Sequence, residues 1–162
     1  MNSFFKITSA FLLCTSALAT HAATQRVTVN YTLTVPPACT LSSNGTAINK
    51  VLPHDGTAVN QNIDVKCNVP YNIQAKSANS KGANLSAVVN TTDSTRSIPY
   101  NIKLSGGPNA VNVNNGTPVN VQPSATTKTD NYTLTANTSS PVVTADYMAG
   151  AYTDNVTLEI SY

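Results

Sequence analysis

The sequence predicts an all-β sandwich, and three observations carry that prediction. Residues 23–162 hold 20 Thr and 19 Asn among 140 residues, beside abundant Val; Thr and Val fit pleated strands, and Asn fits turns. Short segments of period-2 alternation recur along the chain, separated by Asn/Ser/Gly-rich joints. Two cysteines, Cys39 and Cys67, fall on the apolar parity of two such segments. Trp is absent, and beyond residue 22 no Ala/Glu/Leu/Lys-rich stretch follows a 3.6 period. Helical bundles and α/β nucleotide folds are therefore excluded. About 140 residues make one ordinary domain and are too few for a two-domain enzyme.

The first element is a leader. Lys6 precedes an apolar run from Ile7 to Leu18, too short to span a bilayer, that ends in small residues around Thr20, His21 and Ala22. Residues 1–22 read as a secretory signal peptide, cleaved after Ala22 or, as second choice, after Ala19; the alternative is a buried helix of the mature fold. Cys14 lies within this run behind Leu13, where lipoprotein processing requires a small side chain, so it leaves with the leader. Without Lys6 the chain carries 8 Lys/Arg against 7 Asp/Glu, a net charge of 8 − 7 = +1. A nucleic-acid or membrane-surface partner requires a basic face, which this balance does not supply. Export places Cys39 and Cys67 in an oxidising compartment, so the two are expected to be bonded to each other. No Cys or His stands at metal-ligand spacing from either.

Residues 27–35 show the cleanest alternation in the chain, with Val27, Val29, Tyr31, Leu33 and Val35 on one face and Thr28, Asn30, Thr32 and Thr34 on the other. Pro36-Pro37 ends this strand, because proline has no N–H to donate and restricts the residue before it. Residues 38–41 follow, with Cys39 and Leu41 on one parity, up to the turn signal Ser43-Asn44-Gly45. A loop containing Pro53 and Gly56 leads to Ile63, Val65 and Cys67, again on one parity. The pattern returns in Val69, Tyr71 and Ile73, in Ile98, Tyr100, Ile102 and Leu104, and in Tyr132, Leu134 and Ala136. Ser105-Gly106-Gly107-Pro108 and Asn114-Asn115-Gly116 suit turns and a long exposed connection. The sequence closes on Val156, Leu158, Ile160 and Tyr162, which alternate with Thr157, Glu159 and Ser161.

The inventory of reactive groups is thin. His54, beside Asp55, is the only histidine after the leader, and a hydrolytic triad needs three groups converging in space; it reads as a solvated loop residue. Asp55, Asp64, Asp93, Asp130, Asp146 and Asp154 are scattered singly, without calcium-loop spacing. No glycine loop cradles phosphate. Triplets such as Asn44-Gly-Thr, Asn90-Thr-Thr and Asn155-Val-Thr are expected by chance in a chain so rich in Asn and Thr. Tyr71, Tyr100, Tyr132, Tyr147 and Tyr152 read as core or rim packing before they read as a sugar platform. The chain is expected to be neither an enzyme nor a metal or cofactor protein.

A regular strand at the front, cut off by two prolines, and a core-type strand at the back admit two readings. Residues 27–35 are the first strand of a complete sandwich, or the fold is one strand short and each subunit lends this strand to a neighbour, a head-to-tail contact that builds a filament.

The strand before Cys39, the segment Ile-Asp-Val-Lys-Cys-Asn-Val-Pro-Tyr-Asn-Ile (63–73), Ser-Ile-Pro-Tyr-Asn-Ile (97–102) and the ending Ala-Gly-Ala-Tyr-Thr-Asp-Asn-Val-Thr-Leu-Glu-Ile-Ser-Tyr (149–162) together resemble the spore coat protein U and archaic chaperone–usher pilin family. Two features depart from common fimbrial subunits: the aromatic often found next to last is here the final Tyr162, and the cysteine spacing is compact. The resemblance implies an incomplete immunoglobulin-like sandwich over residues 37–162, preceded by a donor-strand extension over 23–36. It implies a periplasmic chaperone that lends a strand, an outer-membrane usher, and neighbouring subunits as partners in a surface fimbria of a Gram-negative bacterium, serving adhesion or biofilm formation. Val27, Val29, Tyr31, Leu33 and Val35 would be the donated side chains. Val156, Leu158, Ile160 and Tyr162 would line the groove, with the C-terminal carboxylate as a chaperone anchor. The alternative function is a small fimbrial adhesin or lectin-like module. The receptor is not legible.

Overall fold

The structure, a computed structural model, describes residues 24–43 and 48–162. The leader expected at 1–22 and the turn expected at Asn44-Gly45 lie outside the described residues. Residues up to Thr34 form one unit and Val35–Tyr162 another. In the first, residues 24–34 have neither helix nor strand and are exposed.

The second unit is an all-β, immunoglobulin-like sandwich. Its strands are β1 (Cys39–Ser42), β2 (Val59–Cys67), β3 (Tyr71–Ser77), β4 (Ser80–Gly82), β5 (Leu85–Asn90), β6 (Ser97–Gly106), β7 (Val119–Val121), β8 (Thr129–Asn137), β9 (Tyr152–Thr153) and β10 (Val156–Ser161), with a single 3-10 turn at Thr144–Asp146. The larger sheet runs β1-β2-β8-β6-β5-β4, with β9 also on β5, and the smaller runs β10-β3-β7. Every strand pair is antiparallel. Period-2 alternation makes this arrangement: in β2, Ile63, Val65 and Cys67 are buried while Asn62, Asp64 and Lys66 are exposed. Tyr71, Ile73 and Ala75 from β3, Tyr100, Ile102 and Leu104 from β6, and Tyr132 from β8 fill the space between the sheets.

Cys39 and Cys67 face each other in register on β1 and β2 and form the expected disulfide, with Cα atoms 4.2 Å apart. This bond marks one end of the sandwich, the disulfide end. From it β1 and β3 run away, and β2 and β10 return toward it. The far end carries the connections 48–58, 91–96 and 138–151.

One expectation is corrected. The connection after β6 is not exposed throughout, since Val111 and Val113 are buried and Leu104 bridges Val111. The sequence reading passed over Leu85–Asn90, which is a strand; β5 has partly or fully covered residues on both faces, so its pattern has no period of 2. Tyr71, Tyr100 and Tyr132 are core residues, whereas Tyr147 is exposed.

Candidate functional site: the open edge between β1 and β10

Sequence alternation builds β10 with Val156, Leu158 and Ile160 turned to the core and Thr157, Glu159 and Ser161 turned to solvent. Its register on β3 pairs Val156 with Ser77 and Ile160 with Ile73. On the solvent face, Glu159 accepts a hydrogen bond from Gln74 Nε2 at 2.6 Å and lies 3.7 Å from Lys76 Nζ. The other edge of β10 pairs with no described strand, and the same is true of the outer edge of β1.

Within their sheets, β10 lies at the edge away from β7, and β1 at the edge away from β5 and β4. On the side of β7, the connection between β6 and β7 closes the gap between the sheets: Val111 bridges Leu104, Val113 N–H donates to Asn84 Oδ1 at 2.9 Å, and Asn84 N–H donates to Val113 O at 2.8 Å, while Asn114 N–H donates to Ala75 O on β3 at 2.9 Å. No comparable bonds join β1 to β10 among the described residues. The side chains agree with an opening there. Leu41 has the inward parity of Cys39 yet is 43% exposed, and Val156, Leu158 and Ile160 are only partly covered. An unpaired edge flanked by half-covered apolar side chains is a template for a further strand.

Asp154 fixes the start of β10. Its Oδ2 accepts from Ser77 Oγ at 2.7 Å, Ser86 Oγ at 2.6 Å and Tyr100 OH at 2.8 Å. Its Oδ1 accepts from the N–H groups of Asn79 at 3.1 Å and Asn155 at 2.8 Å. One carboxylate thus gathers β3, the β3–β4 turn, β5 and β6 at the root of β10. Burial, and then the bond to Asp154, push the Tyr100 phenol well above its ordinary pKa, so this hydroxyl remains a donor.

At the disulfide end, Asn68 performs a similar task for the incoming chain. Its Nδ2 donates to Pro36 O at 2.8 Å, while its Oδ1 accepts from Ala38 N–H at 2.7 Å. Behind β10 a second buried group stiffens the core: Tyr71 OH donates to Asp130 Oδ2 at 2.8 Å and lies 2.9 Å from Tyr132 OH. With its own proton given to Asp130, Tyr71 must accept from Tyr132. Burial is the largest cause raising both phenols.

The residues expected to line a groove are placed as follows. Val156, Leu158 and Ile160 share the core-facing side of the open edge, while Tyr162 follows the last residue of β10 and is 64% exposed. Val27, Val29, Tyr31, Leu33 and Val35 are exposed, Tyr31 to 92%, and pair with no strand among the described residues. A ladder exists only when a second strand supplies the other half of its hydrogen bonds, and none of the described strands does so for 27–35. Sequence reasoning missed Asp154, Asp130 and Asn68. The hydroxyl partners of Asp154 lie 54 to 77 positions away, and only the fold brings them together. His54 is exposed, and its carbonyl accepts from Val142 N–H at 2.6 Å. Among the described residues no cluster of His, Cys, Asp or Glu is placed to hold a metal, and no helix is long and apolar enough to cross a membrane.

The family described as Spore Coat Protein U domain matches residues 23–159. No curated protein matches the sequence. Among solved structures, the CsuC–CsuE chaperone–tip adhesion subunit pre-assembly complex from archaic chaperone–usher Csu pili of Acinetobacter baumannii is similar at 20% identity, with a TM-score of 0.49. The match covers 80% of this chain and 40% of that one.

Proposed function

The chain belongs to the Spore Coat Protein U domain family, and from that premise we propose that it is a structural subunit of a chaperone–usher pilus, assembled when the segment 27–35 of one copy occupies the open edge of the next. The observation that carries this reading is the unpaired edge of β10 with Val156, Leu158 and Ile160 half-covered beside it. The chain itself contains a segment with the complementary pattern: five apolar side chains at period 2, all exposed.

Magnitudes support such a joint. Five side chains at about 1.5 to 3 kcal/mol each give a gross burial term of roughly 8 to 15 kcal/mol, from which association costs are subtracted. Nine residues extend about 30 Å, longer than the six residues of β10. Main-chain bonds add about 1 kcal/mol each, net. No covalent link is needed for a lasting contact.

In this function residues 1–22 are removed on export, and a periplasmic chaperone covers the open edge until an outer-membrane usher exchanges it for the next subunit. The product is a surface fibre, a homopolymer of this chain, that serves adhesion or biofilm formation. Deleting residues 23–35 tests the mechanism. The shortened chain is expected to be retained with its chaperone and to form no polymer; polymers of ordinary length from that variant would refute the proposal.

A further inference from the structure

The far end of the sandwich carries ordered, exposed apolar side chains that the strand exchange does not use. Val51 is 86% exposed, Val143 59%, Met148 49% and Tyr147 36%. The loop that presents three of them is held in place: Tyr152 OH donates to Met148 O at 2.9 Å, Thr91 N–H to Ala151 O at 2.9 Å, and Val142 N–H to His54 O at 2.6 Å. The last bond also ties this loop to the connection that carries Val51. Exposed apolar side chains that gather in one region mark a contact surface, whereas scattered single ones do not.

We propose that this surface docks the disulfide end of the neighbouring copy, so that successive subunits touch body to body as well as through the exchanged strand. The inference rests on the pilus reading above and follows from direction and reach. Every strand pair in the fold is antiparallel, so a strand added to β10 in the same manner ends with Val35 beside Val156, at the far end of the acceptor. Only Pro36, Pro37 and Ala38 separate Val35 from Cys39 at the start of β1. Four Cα steps reach at most about 14 Å, so the donor's body cannot stand off from the acceptor's far end. Two prolines stiffen that short span, and Asn68 binds both Pro36 O and Ala38 N–H, which fixes the span to the donor's body. The occupant is thus a second copy of this chain, presenting its Pro36–Pro37 face. The contact is head-to-tail and repeats without closing.

The test uses fibres of the full chain carrying Pro37→Cys and Tyr147→Cys, treated with a short bismaleimide and then heat-dissociated in detergent. A ladder of covalent multimers is expected from the double variant and none from either single variant. Intact fibres with both thiols reactive and no ladder would overturn the docking while leaving strand exchange standing. If the double variant assembles poorly, Tyr147→Ser/Met148→Ser fibres decide the matter: docking requires a shorter persistence length in electron micrographs than wild type, and an unchanged one overturns it. Failure of the wild-type chain to form any fibre removes the pilus reading, and the docking falls with it.

Discussion

Tyr71 shows what one hydroxyl contributes in this core. It satisfies Asp130 Oδ2, on a carboxylate that is 4% exposed, and it accepts from Tyr132. Tyr71→Phe leaves a buried carboxylate oxygen without that donor and is expected to cost about 1 to 3 kcal/mol. Tyr132→Phe removes only the outer bond of the chain and should cost about 1 kcal/mol. Urea unfolding followed by tyrosine emission checks the order, since the protein has no Trp; an equal or reversed effect contradicts the proton accounting. The same burial predicts behaviour at high pH. Tyr71, Tyr100 and Tyr132 have phenol pKa values raised in the fold above the ordinary 10.0, chiefly by burial. An acid whose folded pKa is raised is held in its protonated form, so this contribution to stability is complete below the unfolded value. It is lost as pH climbs above 10. Phenolate absorbance of these three residues should therefore appear together with unfolding rather than before it. Their reversible ionisation in a folded chain would contradict this.

Among elements, β10 depends on Asp154 as much as on its own pattern. Ser77, Ser86 and Tyr100 all donate to one oxygen at the root of the strand. Asp154→Ala strands these buried donors and is expected to destabilise the fold by on the order of 3 kcal/mol. Asp154→Asn, which keeps one acceptor oxygen, should lose less. Hydrogen exchange reads the local effect: the amides of β10 that bond to β3 should lose protection more than those of β2, which are bound on both sides by β1 and β8. Uniform loss would argue against a local anchor. The sequence announced β2, β3, β6 and β10 because each has one face in the core and one in water, and β8 through the parity of Tyr132, Leu134 and Ala136. It did not announce β5, covered in part on both faces, or β7, three residues long. Gly106-Gly107 was legible as a turn, and both have φ values, +83° and +66°, that favour glycine. The further reason was not legible: the Tyr132 ring lies where a side chain on Gly107 would go. The cysteine pair could be read from compartment and parity, whereas Asn68 and Asp154 act on partners that only tertiary folding supplies.

For the whole molecule, the proposed strand addition has a direction, and that direction would decide both how a fibre grows and how a single chain can be closed on itself. Tyr162 follows β10 at the disulfide end, because β10 runs from Val156, opposite Ser77, to Ser161, opposite Asn72. A strand antiparallel to β10 starts at that same end, so a tight turn suffices to connect them. A parallel strand would have to start at the far end, and its connection would span the length of β10, about 20 Å for six residues. A chain of residues 36–162 followed by a four-residue turn and a copy of residues 27–35 is therefore expected to fold as a stable monomer. It should resist thermal unfolding better than residues 36–162 alone and should no longer recruit the N-terminal segment of another copy. The same copy joined by a long flexible linker allows either direction and serves as the control. If the long linker closes the fold and the short turn does not, the strand runs parallel to β10. In that case Val35 would sit at the disulfide end of its acceptor, and the body-to-body contact at the far end would lose its geometric basis.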